Sequence, residues 1–413
     1  MIAIEKFSPE QLKKIFWTVG ITCFLLGFYG WFDRFAHGHI HANYGSVVTW
    51  GLWVVVYIYF IGLSAGSFLV SSLVYVFNVK AFEKIGRVAL FTAIITLLLA
   101  LLSIWADLGQ EFRAWHVMVY PNFKSPMAWM IYLYSFYFLL VIVEFWLVNR
   151  KDFIEGSNRP GWQGKVYKFL SFRSTDLSAE AIARDHRLVK ILATIGVPVA
   201  IMFSGGVGAL FGVVAARPHW HSGLFPILFL LSALVSGGAL LALISIIFQD
   251  GYTKNKETVI SLGKLVLGLL ILDVIFQVSE FLIAFRGGIP GHIAGLQLVI
   301  AGKYWPVFWI WQVLLGTLVP IIILSSKLRY NAVYVGIACL LIFVGIFGLR
   351  LNIVIPGLAV EEIKDLATAV TSQRATILYF PTISEWLLTM GLIGLGMIMF
   401  GIGEIILPKE KEV

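Results

Sequence analysis

The chain has 413 residues, of which 59% are hydrophobic and only 13% charged, about half the charged fraction of a soluble domain. Its mean hydropathy is +0.88. These values exclude a soluble enzyme, a disordered chain and a nucleic-acid binder, so the net charge of +8 is read as a property of loops that flank a membrane.

A spanning helix needs about 20 mostly apolar residues. The sequence holds ten such runs, near 15–35, 47–78, 88–108, 127–148, 189–212, 223–248, 263–286, 306–326, 333–355 and 383–406. The first begins too far into the chain, and lacks a small-residue cleavage site, for a secretory signal. The second is longer than a bilayer requires, which predicts tilt or protrusion. The predicted class is an all-α polytopic membrane protein with about ten transmembrane helices. Residues 1–413 form one membrane domain, in which 46–212 is a first four-helix bundle and 223–355 a second. Residues 1–45 and 356–413 supply a flanking helix at each end.

Charge sets the orientation. The N-terminus (Lys6, Lys13, Lys14), the loop at 79–87 (Lys80, Lys84, Arg87), the segments 149–190, 250–264 and 327–332, and the C-terminus (Lys409, Lys411) fall on one side. Together they hold 22 of the 31 Lys and Arg residues. The basic side is predicted to be cytoplasmic, with both termini inside. Segment 150–190 alone carries nine basic residues and reads as a topology determinant in contact with anionic lipid.

On this topology seven of the eight histidines lie at the outer edge: His37, His39, His41, His116, His219, His221 and His292. An aromatic belt explains the nearby tryptophans but not the histidines. Clustered imidazoles at an interface can bind a metal, bind a haem or handle protons. His37-Gly-His39-Ile-His41 resembles a metal-binding tract, but its alternate spacing in a turn defines no ligand set, and no metal ligand is assigned. No span has a central histidine, and no CxxCH is present, so haem is not expected. Cys23 and Cys339, the two cysteines, both lie in apolar runs and cannot hold an iron–sulfur cluster.

Ionisable groups inside spans are costly and read as functional by default. The third span ends Ser103-Ile-Trp-Ala-Asp107-Leu-Gly-Gln110-Glu111-Phe-Arg113-Ala-Trp115-His116. Helical spacing puts Ser103, Asp107 and Gln110 or Glu111 on one face, with Arg113 and His116 one to two turns further out. An acid, an amide, a cation and an imidazole near one interface suit a quinone carbonyl and its proton. An interfacial Asp–Arg pair that only fixes the helix end is the alternative. The seventh span carries Asp273, Gln277 and Glu280 at i, i+4 and i+7, which suits either a proton relay or a polar clamp between helices. Glu144, Glu385 and Glu404 extend a route towards either surface, and Arg350, followed by Asn352, is a candidate counter-charge. A faint repeat links Gly62-Leu-Ser64-Ala-Gly66 of the second span to Ser236-Gly237-Gly238 of the sixth. Each is followed one span later by an intramembrane aspartate, Asp107 and Asp273.

The stretch Asp107-Leu-Gly109-Gln-Glu-Phe-Arg113-Ala-Trp115-His116, followed by Pro121-Asn122-Phe123-Lys-Ser125-Pro126, resembles the NrfD / polysulfide-reductase-C family of membrane subunits. The second-span Gly-Leu-Ser-Ala-Gly-Ser-Phe pattern and the tail Tyr379-Phe-Pro381-Thr-Ile-Ser-Glu385-Trp386 fit as well. Ten spans resemble the longer branch of that family. The resemblance implies a subunit without a metal cofactor that binds exchangeable menaquinone or ubiquinone near the periplasmic face of the inner membrane. A periplasmic, ferredoxin-like iron–sulfur subunit would exchange electrons with it, and a molybdopterin-type or multihaem cytochrome c subunit would sit further out. It places quinone contacts at His41, Asn43, Asp107, Arg113 and His116 and proton-carrying counterparts at Asp273 and Glu280, and the buried-group reading extends that proton pathway to Asp107, Glu144, Gln277 and Arg350. The expected function is therefore that of the quinone-reactive subunit of a respiratory oxidoreductase, with proton translocation open. A secondary transporter and a passive membrane anchor are the alternatives.

Overall fold

The computed structural model describes residues 8–408 apart from 253, 362, 364–368, 370 and 371. Lys6, Lys409 and Lys411 of the basic set lie outside them. Ten described helices are long and apolar enough to cross a membrane, in agreement with the ten predicted runs. They are α1 (Pro9–His37), α2 (Leu52–Tyr75), α3 (Gly86–Asp107), α4 (Pro126–Gly156) and α5 (Ala179–Gly212). The others are α6 (Phe225–Phe248), α7 (Lys256–Arg286), α8 (Val307–Leu318 continued by Val319–Ser325), α9 (Ala332–Leu358) and α10 (Ile383–Ile406). No strand occurs among the described residues.

The boundaries follow local chemistry. A capping box at Ser8 and Gln11, with Pro9 in the first turn, starts α1 several residues before its apolar run. A second box at Thr382 and Glu385 starts α10. The second helix is shorter than predicted. Gly51 is extended and Asn78 has φ +53°, so the flanks of that apolar run form loops instead of a protruding helix. A short helix in the outer connection, Pro290–Ile300, is not among the predicted runs. The first twelve residues of α8 are a π-helix, a wider coil that recurs at functional sites.

Small residues set the packing. α1 runs along α10, and α2 lies against α3, α5, α6 and α9. A Cβ at Gly27 would stand 2.0 Å from Gly391 Cα, and one at Gly66 would stand 2.0 Å from the Ala233 carbonyl oxygen. Both crossings therefore need glycine, because interhelical backbones touch there. The two clusters of the faint repeat meet each other at the second crossing. At one end of the helices Lys84 Nζ donates to Asn255 Oδ1 at 2.9 Å, and Arg150 pairs with Asp185 at 2.6 Å. Several of the basic loops are thereby tied together, and the histidine-bearing connections lie at the opposite helix ends.

Candidate functional site

The site at the histidine-bearing helix ends, the outer ends of the predicted topology, is assembled by two segments far apart in sequence. Loop 38–51 joins α1 to α2, and segment 372–385 leads into α10. Asn43 N donates to Glu385 Oε2 at 3.1 Å, and Asn43 Nδ2 to the Phe380 carbonyl at 3.0 Å. Thr382 Oγ1 donates to the His41 carbonyl at 2.8 Å. Tyr379 donates its hydroxyl to Glu385 Oε1 and accepts from Leu52 N at 2.6 Å. The capping carboxylate of α10 thus also anchors the loop before α2.

Beside this seam Arg34, 3% exposed, reaches from α1 to the end of α3. It donates to the carbonyls of Ala106 and Leu108, each at 2.5 Å, and lies 3.5 Å from Glu111 Oε2. A cation on the last carbonyls closes a helix C-terminus and complements its dipole. α3 accordingly stops at Asp107, and Leu108 is extended. This corrects the expectation of one continuing face. Gln110, Glu111, Arg113 and His116 follow in a loop and two short turns, Glu111–Arg113 and His116–Val119, so helical spacing no longer applies to them.

Three polar atoms in this region are buried without a hydrogen-bond partner of normal geometry: His39 Nε2, the Tyr44 hydroxyl and Asp107 Oδ1. The Tyr44 hydroxyl contacts the Asp107 carboxyl and the His39 ring contacts the Ala106 carbonyl, but neither contact reaches good hydrogen-bond geometry. The His39 and Tyr44 rings are 5.3 Å apart, and both pack edge-on to Trp53 at 6.0 Å. Burial pushes the Tyr44 phenol up, reinforced by the charges of Asp107 and Glu385. Burial, helped by Arg34, pulls the His39 imidazole down. Tyr44 is thus a neutral donor and His39 a neutral imidazole at pH 7. Buried polar atoms nearly always have well-formed partners, so three atoms with only poorly aligned contacts leave hydrogen-bonding capacity for a ligand or water.

Asp107 also lines a cavity of about 760 Å³ together with Arg113, Trp50, Trp105, Met130 and Phe211. That volume suits a drug-sized or quinone-sized ring system. Two of its walls are joined by the hydroxyl–hydroxyl hydrogen bond of Tyr57 and Tyr134. Of the predicted quinone contacts, Asp107 and Arg113 line this cavity, whereas His41, Asn43 and His116 do not. Asn43 is used in the seam. His41 Nδ1 lies 2.7 Å from Asp33 Oδ1 on the outer rim. His116 is exposed, edge-on to Trp115 at 4.2 Å. Arg34 and Tyr44 have no motif to announce them, since their roles arise from the long-range seam, whereas Tyr379 lies in the tail motif.

The predicted proton-pathway residues fall into separate places. Glu144 is buried, with neither carboxylate oxygen hydrogen-bonded. Asp273, fully buried, accepts from Gln277 Nε2 at 2.6 Å. Gln277 Oε1 accepts from Gln312 Nε2 at 2.8 Å, and Gln312 Oε1 from Asn352 Nδ2 at 2.7 Å. Gln312 sits on the π-helical part of α8. Nearer the outer end, His219 Nε2 is 3.3 Å from the Asn352 carbonyl, and its ring is 6.0 Å from that of His292. His292 lies 3.9 Å from Glu280, which accepts from Ser222 Oγ at 2.5 Å. Burial holds His219 down at about 4. Arg350 forms no ion pair with Asp273 among the described residues. It donates to Ser232 Oγ at 2.7 Å and stands 4.1 Å over the Phe229 ring.

Ten apolar spans, a sealed polar seam at one end and ionisable groups between helices define a polytopic membrane protein with an intramembrane polar site. Residues 41–361 match the family described as "Polysulphide reductase, NrfD", and the chain belongs to that family. It is 36% identical to a selenate reductase subunit of Mesobacillus selenatarsenatis, over 98% of this chain and 96% of that one. It is 30% identical to a putative dimethyl sulfoxide reductase membrane subunit of Halobacterium salinarum, over 95% and 91%. With an Hdr-like menaquinol oxidoreductase integral membrane subunit of Archaeoglobus fulgidus the identity is 28%, over 86% and 84%.

Proposed function

We propose that this chain is the quinone-reactive membrane subunit of a multisubunit oxidoreductase. It would exchange electrons between the menaquinone or ubiquinone pool and an iron–sulfur subunit on the periplasmic face. The basic loops support an inner-membrane orientation with both termini in the cytoplasm. A molybdopterin-type or multihaem partner would complete the complex. The name of the Archaeoglobus relative, a menaquinol oxidoreductase subunit, points the same way.

The observation that carries this reading is the cluster of three buried polar atoms, His39 Nε2, the Tyr44 hydroxyl and Asp107 Oδ1, none of which has a hydrogen bond of normal geometry. One of the three residues, Asp107, also lines a cavity large enough for a quinone ring. A quinone is the substrate here and brings the two-electron, two-proton chemistry. Tyr44 donates a hydrogen bond to one ring oxygen, and neutral His39 offers a second polar contact. Asp107 gives or takes the proton at its free oxygen. Arg113, at the cavity wall, supplies the positive charge that favours negative charge on the substrate. Trp50, Trp105 and Phe211 exclude water.

Protons would travel through the second half of the chain. The amides of Gln277, Gln312 and Asn352 order water between Asp273 and the His219, His292 and Glu280 group, which reaches the outer end. Glu144 would serve the inner half, and Arg350 would set the field near Asp273. Asp107→Asn keeps the shape of the site but removes its acid. Quinone-dependent turnover should fall at least tenfold while the variant still assembles with its partner subunits. Turnover at the wild-type rate would overturn the assignment.

A further inference from the structure

A second polar site lies on the outer rim, beside the proposed quinone site and separate from it. Asp33 is in the last turns of α1, and its side chain is 6% exposed. It has no lysine or arginine partner among the described residues, because the adjacent Arg34 is spent on α3 and Glu111. Two imidazoles face it instead. His37 Nδ1, one helical turn on, is 2.9 Å from Asp33 Oδ1, and His41 Nδ1 is 2.7 Å from the same oxygen. Gly38, with φ +67°, reverses the chain after α1 and folds His41 back over Asp33. The backbone of His41 is fixed by Thr382, and Asp33 Oδ2 accepts from Ser384 Oγ at 2.5 Å.

We infer that Asp33, His37 and His41 form a binding site for a divalent transition-metal ion of the zinc class. The three ligand atoms all lie within 4.8 Å of one another. Two imidazole nitrogens and one carboxylate oxygen are a common three-ligand zinc set, with water in the fourth position. Ser384 is the outer-sphere donor that such a carboxylate usually has, and it leaves Oδ1 free for the ion. Zinc–ligand bonds of about 2.0–2.1 Å require the ligand atoms to sit roughly 3.3 Å apart. The two rings must therefore retreat by a few tenths of an ångström. They are half exposed, at 51% and 54%, and can move. Each histidine would ligate through Nδ1, so the hydrogen that Nδ1 shares with Asp33 Oδ1 must leave that nitrogen when the ion binds. His39, though central to the sequence tract, points inward to Tyr44 and Trp53 and is not a ligand. The ion would clamp loop 38–42 to α1.

The test uses the full chain, purified in detergent with its partner subunits and stripped with a chelator. Dialysis against Zn²⁺ and elemental analysis should show one equivalent bound. The paired substitution His37→Ala and His41→Ala should weaken that binding at least tenfold, whereas His39→Ala should leave it intact. Equal binding by the paired variant, or none by the wild type, overturns the inference. A measurement without variants is protection from histidine-directed acylation. Zn²⁺ should shield His37 and His41 but not His221, and unshielded His37 and His41 would contradict the site.

Discussion

Tyr44 shows how a single residue separates stability from function. Its hydroxyl is buried beside the Asp107 carboxyl with no hydrogen bond of normal geometry, and a fully orphaned polar group costs about 1–3 kcal/mol. Tyr44→Phe removes a poorly paired hydroxyl, so the melting temperature in detergent should change little. If the hydroxyl is kept for a ligand, binding of a quinone analogue should weaken about tenfold in the same variant. Binding titrations and melting curves on one preparation read both effects. A loss of stability with unchanged binding would make Tyr44 structural. His219 gives a pH prediction. Its imidazole, held down at about 4 by burial, would titrate near 6.5 when unfolded. A base whose folded value is depressed stabilises the fold above the unfolded value, and that stability is lost as pH falls from about 6.5 towards 4. His219→Gln should flatten the decline of stability over this window by one proton, as measured by chemical unfolding at a series of pH values.

Elements are legible in the sequence where the signal is local. The ten apolar runs and the small-residue clusters are properties of neighbouring residues, and each reappears in the helices. The end of α3 is not legible. Apolar periodicity runs on past Asp107 into Leu108, and what stops the helix is Arg34, more than seventy residues away in sequence. The seam between loop 38–51 and segment 372–385 is of the same kind, with Asn43 and Glu385 separated by more than three hundred positions. For this reason the motif reveals Asp107 and Arg113 but not Tyr44 and Arg34. The glycine crossing offers a direct check. A Cβ at Gly66 would meet the Ala233 carbonyl at 2.0 Å, where backbone cannot give way. Gly66→Leu should therefore cost about 3 kcal/mol or more, seen as loss of folded protein in detergent. Gly268, whose Cβ would meet nothing within 4 Å, should accept Ala without loss.

At the scale of the whole molecule, the protein divides its ionisable groups between two places. The outer seam at Asp107 is built on α1, α2, α3 and α10. The Asp273 network is built on α7, α8 and α9, and Arg350 reaches towards α6 from that second group. The two halves touch where Gly66 packs on Gly237. The proposed substrate chemistry and the proposed proton route are thus predicted to be separable by mutation. Gln312→Leu cuts the amide chain between Gln277 and Asn352. It should leave quinone-analogue affinity unchanged and reduce proton movement per electron in reconstituted vesicles. Loss of analogue affinity in that variant would show that the two regions are one site.

Photo-crosslinking of an azido-quinone to the purified complex, with the modified peptides mapped by mass spectrometry, asks the central question most directly. Labelling should concentrate on residues 39–44 and 104–113, compete with unlabelled quinone, and fall in Asp107→Asn. Competable labelling elsewhere in the chain, with these two segments unmodified, would contradict the account.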